Sequence, residues 1–447
     1  MKKTKLSTIL WLAALLLVAP ACALYSTDTI VYDLPSPATT RPAEADEGDV
    51  LVMVSVTGGG SRAALWHAAV MKELYNQVKL PDGRSITDEI DYISSVSGGS
   101  LSSAYWCLRK PEDDTNDTEQ YDAFFDSYLG DMRVNIEARM AGGPLTWYRF
   151  FISSEDKAIL LARTFDRLFF SHKTFSCLAE RQRRGVAPVL IANGTEMEPG
   201  AKFLFTTLST SDFEVDPERM ARRSMESLKN SGILLGADVF GVVTPDDIGV
   251  SIADMEVSRA VAASSSVPLV LGPIVMRDNL RSTPEEDVYV HINDGAVNDN
   301  QGIFTLIEFL YKRAESGGEK PVKAIIFIVD ANPSVEPRYW EGSVQSLPTI
   351  EMIERSYYIC FNQGRAFTLL TIMDILKRDP RFKDVTFVYL SPYVAGDPVI
   401  SDVFTRTPTR FKITPAQADT IERAAGIVVE KVKGRIIDSL QEIEKER

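Results

Sequence analysis

Twice within its first hundred residues the chain runs from a β-branched apolar stretch, through glycines, directly into a helical pattern. "DVLVMVSV" (49–56) leads to Gly58, Gly59 and Gly60 and then to "RAALWHAAVMKELYNQV". "EIDYISSVS" (89–97) leads to Gly98, Gly99 and "SLSSAYWCL". A strand that feeds a helix through a tight turn is the unit of a parallel sheet, because parallel neighbours need a crossover between them. Five more runs have strand length and composition: "APVLIAN" (187–193), "KFLFTTL" (202–208), "DVYVHIN" (287–293), "KAIIFIVD" (323–330) and "DVTFVYL" (384–390). Helical patterns alternate with them. The expected fold class is therefore α/β, with a mostly parallel central sheet covered by helices on both faces. Such a sheet offers its chemistry at the carboxyl ends of its strands, and both glycine turns sit there.

The flanks suggest a domain organisation. Residues 1–21 have a basic start (Lys2, Lys3, Lys5) and an uncharged apolar run, Ile9 to Ala19. That run is shorter than the roughly 20 residues of a membrane span, as in a secretory signal peptide. Ala19-Pro20-Ala21-Cys22 is similar to a bacterial lipobox, in which Cys22 is lipidated after cleavage; ordinary cleavage after Ala21 or Ala23 is the alternative. An exported chain, held at a membrane facing the periplasm or cell surface or else released, is the expectation. Residues 22–48, rich in Pro, Thr and acids, read as a flexible linker. Residues 49–413 form the expected main domain, with a helical, aromatic-rich insertion at about 112–179. The insertion carries Trp147, Tyr148, Phe150 and Phe151, either as packing or as the wall of an apolar pocket. Residues 414–447 read as an amphipathic helix, capped by Thr414 with Pro415 at its first position. Its apolar stripe is Ile421, Ala425, Val428, Val432, Ile436 and Leu440.

Charge and cysteine content remove several function classes. A formal charge of −14 lacks the basic footprint of a nucleic-acid binder. It also gives no attraction to anionic lipid, so membrane contact must rest on apolar contacts or a lipid anchor. Beyond Cys22 there are only Cys107, Cys177 and Cys360, with no close pair, which excludes a zinc ribbon and a disulfide-dense scaffold and leaves room for one bridge at most. His67, His172 and His291 are the only histidines, and no two lie at metal-ligand spacing.

Ser97 stands between a strand and a helix in "SVSGG", the layout of a nucleophile elbow with Ser95 in place of the usual leading glycine. A serine nucleophile needs a base, yet no histidine follows residue 291 to complete a Ser–acid–His order with an acid beyond it. Asp294, in "HINDGA" at a strand end, is the candidate base, with Gly295 allowing the turn beside it. The amides of Gly58, Gly59 and Gly60 at a helix start are suited to a developing oxyanion, and Gly98 follows the serine as a further donor.

Together these stretches resemble the patatin-like phospholipase family. The resemblance rests on "GGGSR" with Arg62, "SVSGG" with Gly98 and Gly99, and "DGA" with Gly295. "IANGTEMEPGAKFLF" and "SRAVAASSSVPLVLGP" are two further echoes, and all five occur in the family's order between about 50 and 300. It implies a three-layer α/β fold and a Ser97–Asp294 dyad without histidine. It also implies an oxyanion hole at Gly58–Gly60, a lipid ester as substrate, and no metal or organic cofactor. Two other readings use the same residues. Gly58-x-Gly60-x-x-Ala63 fits a dinucleotide fingerprint, which calls for an acid at the end of the second strand, where serines stand instead. A surface lipoprotein that keeps the fold but only binds is the other reading.

Overall fold

The computed structural model describes residues 50–112, 118–141, 157–213, 241–268, 270–316, 321–333 and 349–445. The leader, Cys22, the linker and the Trp147–Phe151 cluster lie outside the described residues.

The two strand–glycine–helix units form as expected: β1 (Leu51–Val56) enters α1 (Gly60–Gln77), and β2 (Ile90–Val96) enters α2 (Gly98–Arg109). The insertion contributes α3 (Thr118–Met132), α4 (Ile136–Ala141), α5 (Lys157–Phe165) and α6 (Phe175–Arg183). Then come β3 (Val189–Glu196), β4 (Lys202–Thr206), β5 (Val242–Val243), α7 (Val257–Ser264), β6 (Ile274–Arg277) and β7 (Tyr289–Asp294). After the single turn α8 (Ala296–Asp299) follow α9 (Ile303–Ser316), β8 (Ala324–Val329), α10 (Thr349–Arg378), β9 (Val385–Leu390), α11 (Pro398–Arg406) and α12 (Pro415–Lys445).

The centre of the sheet is parallel, in the order β3-β2-β1-β8-β9. Its strands are apolar on both faces because both faces are covered. Val52, Val54 and Val56 of β1, with Ile325 and Phe327 of β8, face a core shared with α1, α2, the insertion, α7 and α12. Leu51, Met53, Ala324, Ile326 and Ile328 face the opposite core, closed by α9 and α10. The result is three layers around one mixed sheet. Helix α12 lies along α1, with Ile421, Ala425, Val428 and Ile436 buried. Its capping box is complete: Gln417 N–H donates to Thr414 Oγ1, and Thr414 N–H to Gln417 Oε1.

The strands on one side of the sheet leave the parallel pattern, and this departure positions the site. β4 pairs antiparallel with one edge of β3 along Ile191–Thr195. On the other edge, β2 ends with Val96 opposite Asn193, and antiparallel β7 takes over at the next residue, with Asp294 opposite Gly194. β2 and β7 therefore meet end to end along β3. The residue that follows β2 is Ser97, and the last residue of β7 is Asp294.

Candidate active site

Ser97 sits on the sharp turn between β2 and α2 with φ 53° and ψ −125°, a left-handed backbone that a serine adopts at a cost of about 1–3 kcal/mol. Three hydroxyl contacts hold it there. Ser97 N–H donates to Ser264 Oγ at 3.0 Å, and Ser264 donates to the Asn193 carbonyl at 2.6 Å. Ser264 has then spent its one proton, so Ser100, 2.9 Å away, donates to it. Asn193 in turn donates to the Ser95 carbonyl and to Ser94 Oγ, both at 2.9 Å, and accepts from Thr305 at 2.8 Å. Strain at the elbow is thus offset by a buried, paired network drawn from β2, α2, β3, α7 and α9.

The small residues around Ser97 are required by backbone approach. A Cβ on Gly98 would lie 2.8 Å from Gly60 Cα, and one on Gly99 would lie 2.6 Å from the Thr57 carbonyl oxygen. Elbow and glycine loop are packed backbone to backbone. Ser95, where a glycine is usual, is buried and its hydroxyl donates to the Ile191 carbonyl at 3.3 Å. Gly295 turns the chain after β7 against Asn193, whose carbonyl carbon would lie 2.7 Å from an added Cβ.

Asp294 is buried, with only 1 % of its surface exposed. Its carboxylate accepts the Ala296 N–H at 2.9 Å and a hydrogen bond from the Ser97 side chain. Burial raises its pKa to about 7, and the two hydrogen bonds only partly oppose that. The carboxylate is therefore a far stronger base than an ordinary aspartate and touches the serine hydroxyl.

The glycine loop faces the same point. A Cβ on Gly58 would lie 3.2 Å from Ser97 Cβ. Gly58 N–H is committed to the Asn300 carbonyl at 3.1 Å, and Ser61 N–H to the Arg410 carbonyl at 2.8 Å. Among the described residues, the loop amides without a protein acceptor are those of Gly59 and Gly60. Of the three glycines expected at an oxyanion hole, Gly58 has its donor occupied by Asn300. Arg62, in the first turn of α1, is 98 % buried and binds the Thr407 carbonyl and Thr409 Oγ1.

The histidines stand away from this centre. His67 is buried against Ser102 and Tyr128, and burial pushes its pKa down to about 3. His172 lies between Asp166 and Glu256, and His291 contacts Glu198. Cys107, Cys177 and Cys360 are free thiols. Nor does the acid of a dinucleotide site appear: Asp91 lies near the start of β2, binding Val52 N–H at the far end of the sheet from Gly58–Gly60. The residues at the end of β2 are the elbow itself.

Several residues of the site carry no recognisable signal of their own. Asn193 and Ser264 lie within two of the family-like stretches, but only the structure gives them hydrogen bonds to the elbow. Asn300 and the Thr407–Arg410 segment had no motif at all.

Comparison with solved structures places human GIVD cytosolic phospholipase A2 at a TM-score of 0.50, with 11% sequence identity over 89% of this chain. The chain spans 61% of the length of that relative. VipD from Legionella pneumophila aligns over 92% of this chain and 71% of its own, at 9% identity and a TM-score of 0.31. At 11% identity the likeness to the human phospholipase establishes a shared fold only. No curated protein matches the chain. The model of the patatin-like phospholipases matches residues 54–307, which take in the glycine loop, the elbow, Asn193, Ser264 and Asp294, and the chain belongs to that family.

Proposed function

We propose that the protein is a serine acyl hydrolase of lipid esters, of the phospholipase A or lysophospholipase type, working through a Ser97–Asp294 dyad. The observation that carries this reading is the contact between the Ser97 hydroxyl and a buried carboxylate whose pKa is raised to about 7. A base with a pKa near the working pH combines availability with driving force for proton transfer. Asp294 takes the Ser97 proton as Oγ attacks the ester carbonyl. The negative charge on the carbonyl oxygen is met by the amides of Gly59 and Gly60, aided by the N-terminal end of α1. The tetrahedral species collapses to the acyl-enzyme, and the departing alcohol receives the proton held by Asp294. Asp294 then deprotonates a water, which attacks the acyl carbonyl and releases the fatty acid, and the proton returns to Ser97 Oγ. The chain's own groups supply every proton transfer in this scheme.

Fluorophosphonate labelling of the purified protein, with the adduct mapped by mass spectrometry, tests the assignment. A single adduct on Ser97, lost in Ser97→Ala and strongly slowed in Asp294→Asn, is the expected result. An adduct on another serine, or none, overturns it. A panel of phospholipid, lysophospholipid and neutral-lipid vesicles then separates the substrate classes.

Residues 1–21 are proposed to direct export, and Cys22 to carry the lipid that holds the enzyme at its substrate. Among the described residues, no helix is long and apolar enough to cross a membrane. Mass spectrometry of the mature N-terminus decides between a lipidated Cys22 and a free terminus after Ala21 or Ala23.

A further inference from the structure

The oxyanion loop is an odd place to expect fixed donors. Its residues Gly58, Gly59 and Gly60 are the most flexible the code offers. The start of α1 at Gly59 has no side-chain cap and no acidic residue in its first turn, so the usual local ties are missing. Gly59 and Gly60 also hold left-handed φ values of 147° and 60°. Donors stabilise an oxyanion strongly only when they are pre-oriented, so something outside the loop must hold it.

Asn300 holds Gly58; at Gly59 and Gly60 the outside support is the strap from Thr407 to Phe411, between α11 and α12. The Arg410 carbonyl takes the Ser61 N–H at 2.8 Å, and the Arg410 backbone closes on Gly60, leaving no room for a Cβ. The Arg62 guanidinium reaches across to the Thr407 carbonyl and, at 3.2 Å, to Thr409 Oγ1. Its Nη2 lies 3.4 Å from where a Cβ on Gly59 would be. A buried cation at the N-terminal end of a helix works against both desolvation and the helix dipole. The strap's carbonyl and hydroxyl offset part of that cost, and the charge stays beside the amides that would meet an oxyanion.

The strap is itself fixed. Thr407 N–H and Oγ1 both donate to the Val403 carbonyl, at 2.9 and 2.7 Å. The Phe411 carbonyl accepts the Ile136 N–H at 3.0 Å, and the Phe411 ring meets Phe165 edge-on with centroids 5.6 Å apart. It is thus tied to α11, α4 and α5, and it lies beyond residue 307, where the family match ends.

We propose that Arg62 and the Thr407–Phe411 strap form the positioning device that sets Gly59 and Gly60 against Ser97, with Thr409 a positioning residue; this rests on the acyl-hydrolase reading. Thr409→Val removes the hydroxyl acceptor and keeps the shape. Hydrolysis of p-nitrophenyl butyrate by the full chain should lose about 10-fold in kcat, as expected for a small displacement of a catalytic group. KM should stay within about two-fold because substrate contacts do not change, and the melting temperature should fall by a few degrees, since Arg62 loses one buried acceptor and keeps the Thr407 carbonyl. Thr409→Ser, which keeps the acceptor, should restore most of kcat. Arg62→Lys, which cannot span carbonyl and hydroxyl together, should lose about 100-fold in kcat. Wild-type kcat in Thr409→Val, or a loss that serine does not repair, overturns the proposal. Wild-type protein with neither turnover nor a Ser97 adduct instead overturns the acyl-hydrolase reading, and this inference with it.

Discussion

The Gly58–Gly60 loop and the Ser97–Gly99 elbow leave the neighbouring parallel strands β1 and β2 at the same end of the sheet, yet they put left-handed backbone on different residues. In the loop the unusual angles fall on Gly59 and Gly60, which adopt them without a side-chain penalty. In the elbow they fall on Ser97, which does pay that penalty. The loop is left with bare amides and borrows its rigidity from the strap. The elbow presents a hydroxyl and draws its rigidity from Ser264 and Asn193 beneath it. In the proposed mechanism, two similar sequence units therefore become a donor surface and a nucleophile. The difference follows from which residue occupies the strained position and from what packs behind it.

The largest test of that contrast removes the nucleophile. Ser97→Ala should lower kcat by about four orders of magnitude or more while leaving the fold intact, read by turnover and circular dichroism. Asp294→Asn should cost about 10²–10⁴-fold by removing the base. In the parent enzyme kcat/KM should rise with pH through about 7 as Asp294 loses its proton; a profile flat from pH 5 to 9 would argue against this carboxylate. On the loop, Gly60→Ala forces a Cβ toward the Arg410 carbonyl at a φ of 60° and should cost about 10²–10³-fold in kcat, the scale of a lost oxyanion donor. Behind the elbow, Ser264→Ala should cost about 10-fold in kcat, since the hydrogen bond that fixes Ser97 N–H is removed together with those to Ser100 and the Asn193 carbonyl.

The remaining effects concern stability, and they should have opposite signs on the two turns. Ser97→Gly should stabilise the fold by about 1 kcal/mol by relieving the elbow, measured by urea denaturation, whereas Gly60→Ala should destabilise it. Asp294 adds a pH-dependent term. Its folded pKa lies above the unfolded value, so its burial is harmless in acid and increasingly costly as pH rises through about 7. Asp294→Asn should therefore gain up to about 4 kcal/mol over the parent at pH 8, relative to pH 4. An equal difference at both values would mean that the carboxylate titrates normally.

Much of this molecule is legible in its sequence because the relevant signals are local. β-Branched runs marked the seven longer strands, and the 3.6-residue period marked α12 and its capped start at Thr414. The glycines and serine of the two turns, and the Asp-Gly-Ala at the end of β7, were visible as residue types that a sharp turn demands. β5 and β6 were not anticipated: two and four residues are too short to show a period. The commitment of Gly58 N–H to Asn300 was not anticipated either, since a backbone carbonyl carries no sequence signature.

What the sequence determined by itself was the kind of fold and the inventory of reactive groups, because strand, turn and helix preferences act over a few residues. Tertiary structure decided which of those groups meet. Only the joint register of β2 and β7 along one edge of β3 brings Ser97 to Asp294, through pairing between segments far apart in the chain. Burial among the packed layers then gives that aspartate a pKa fit for a base. Packing likewise brings Ser264, Asn193 and the Thr407–Phe411 strap behind the two turns, where they turn flexible or strained backbone into fixed geometry.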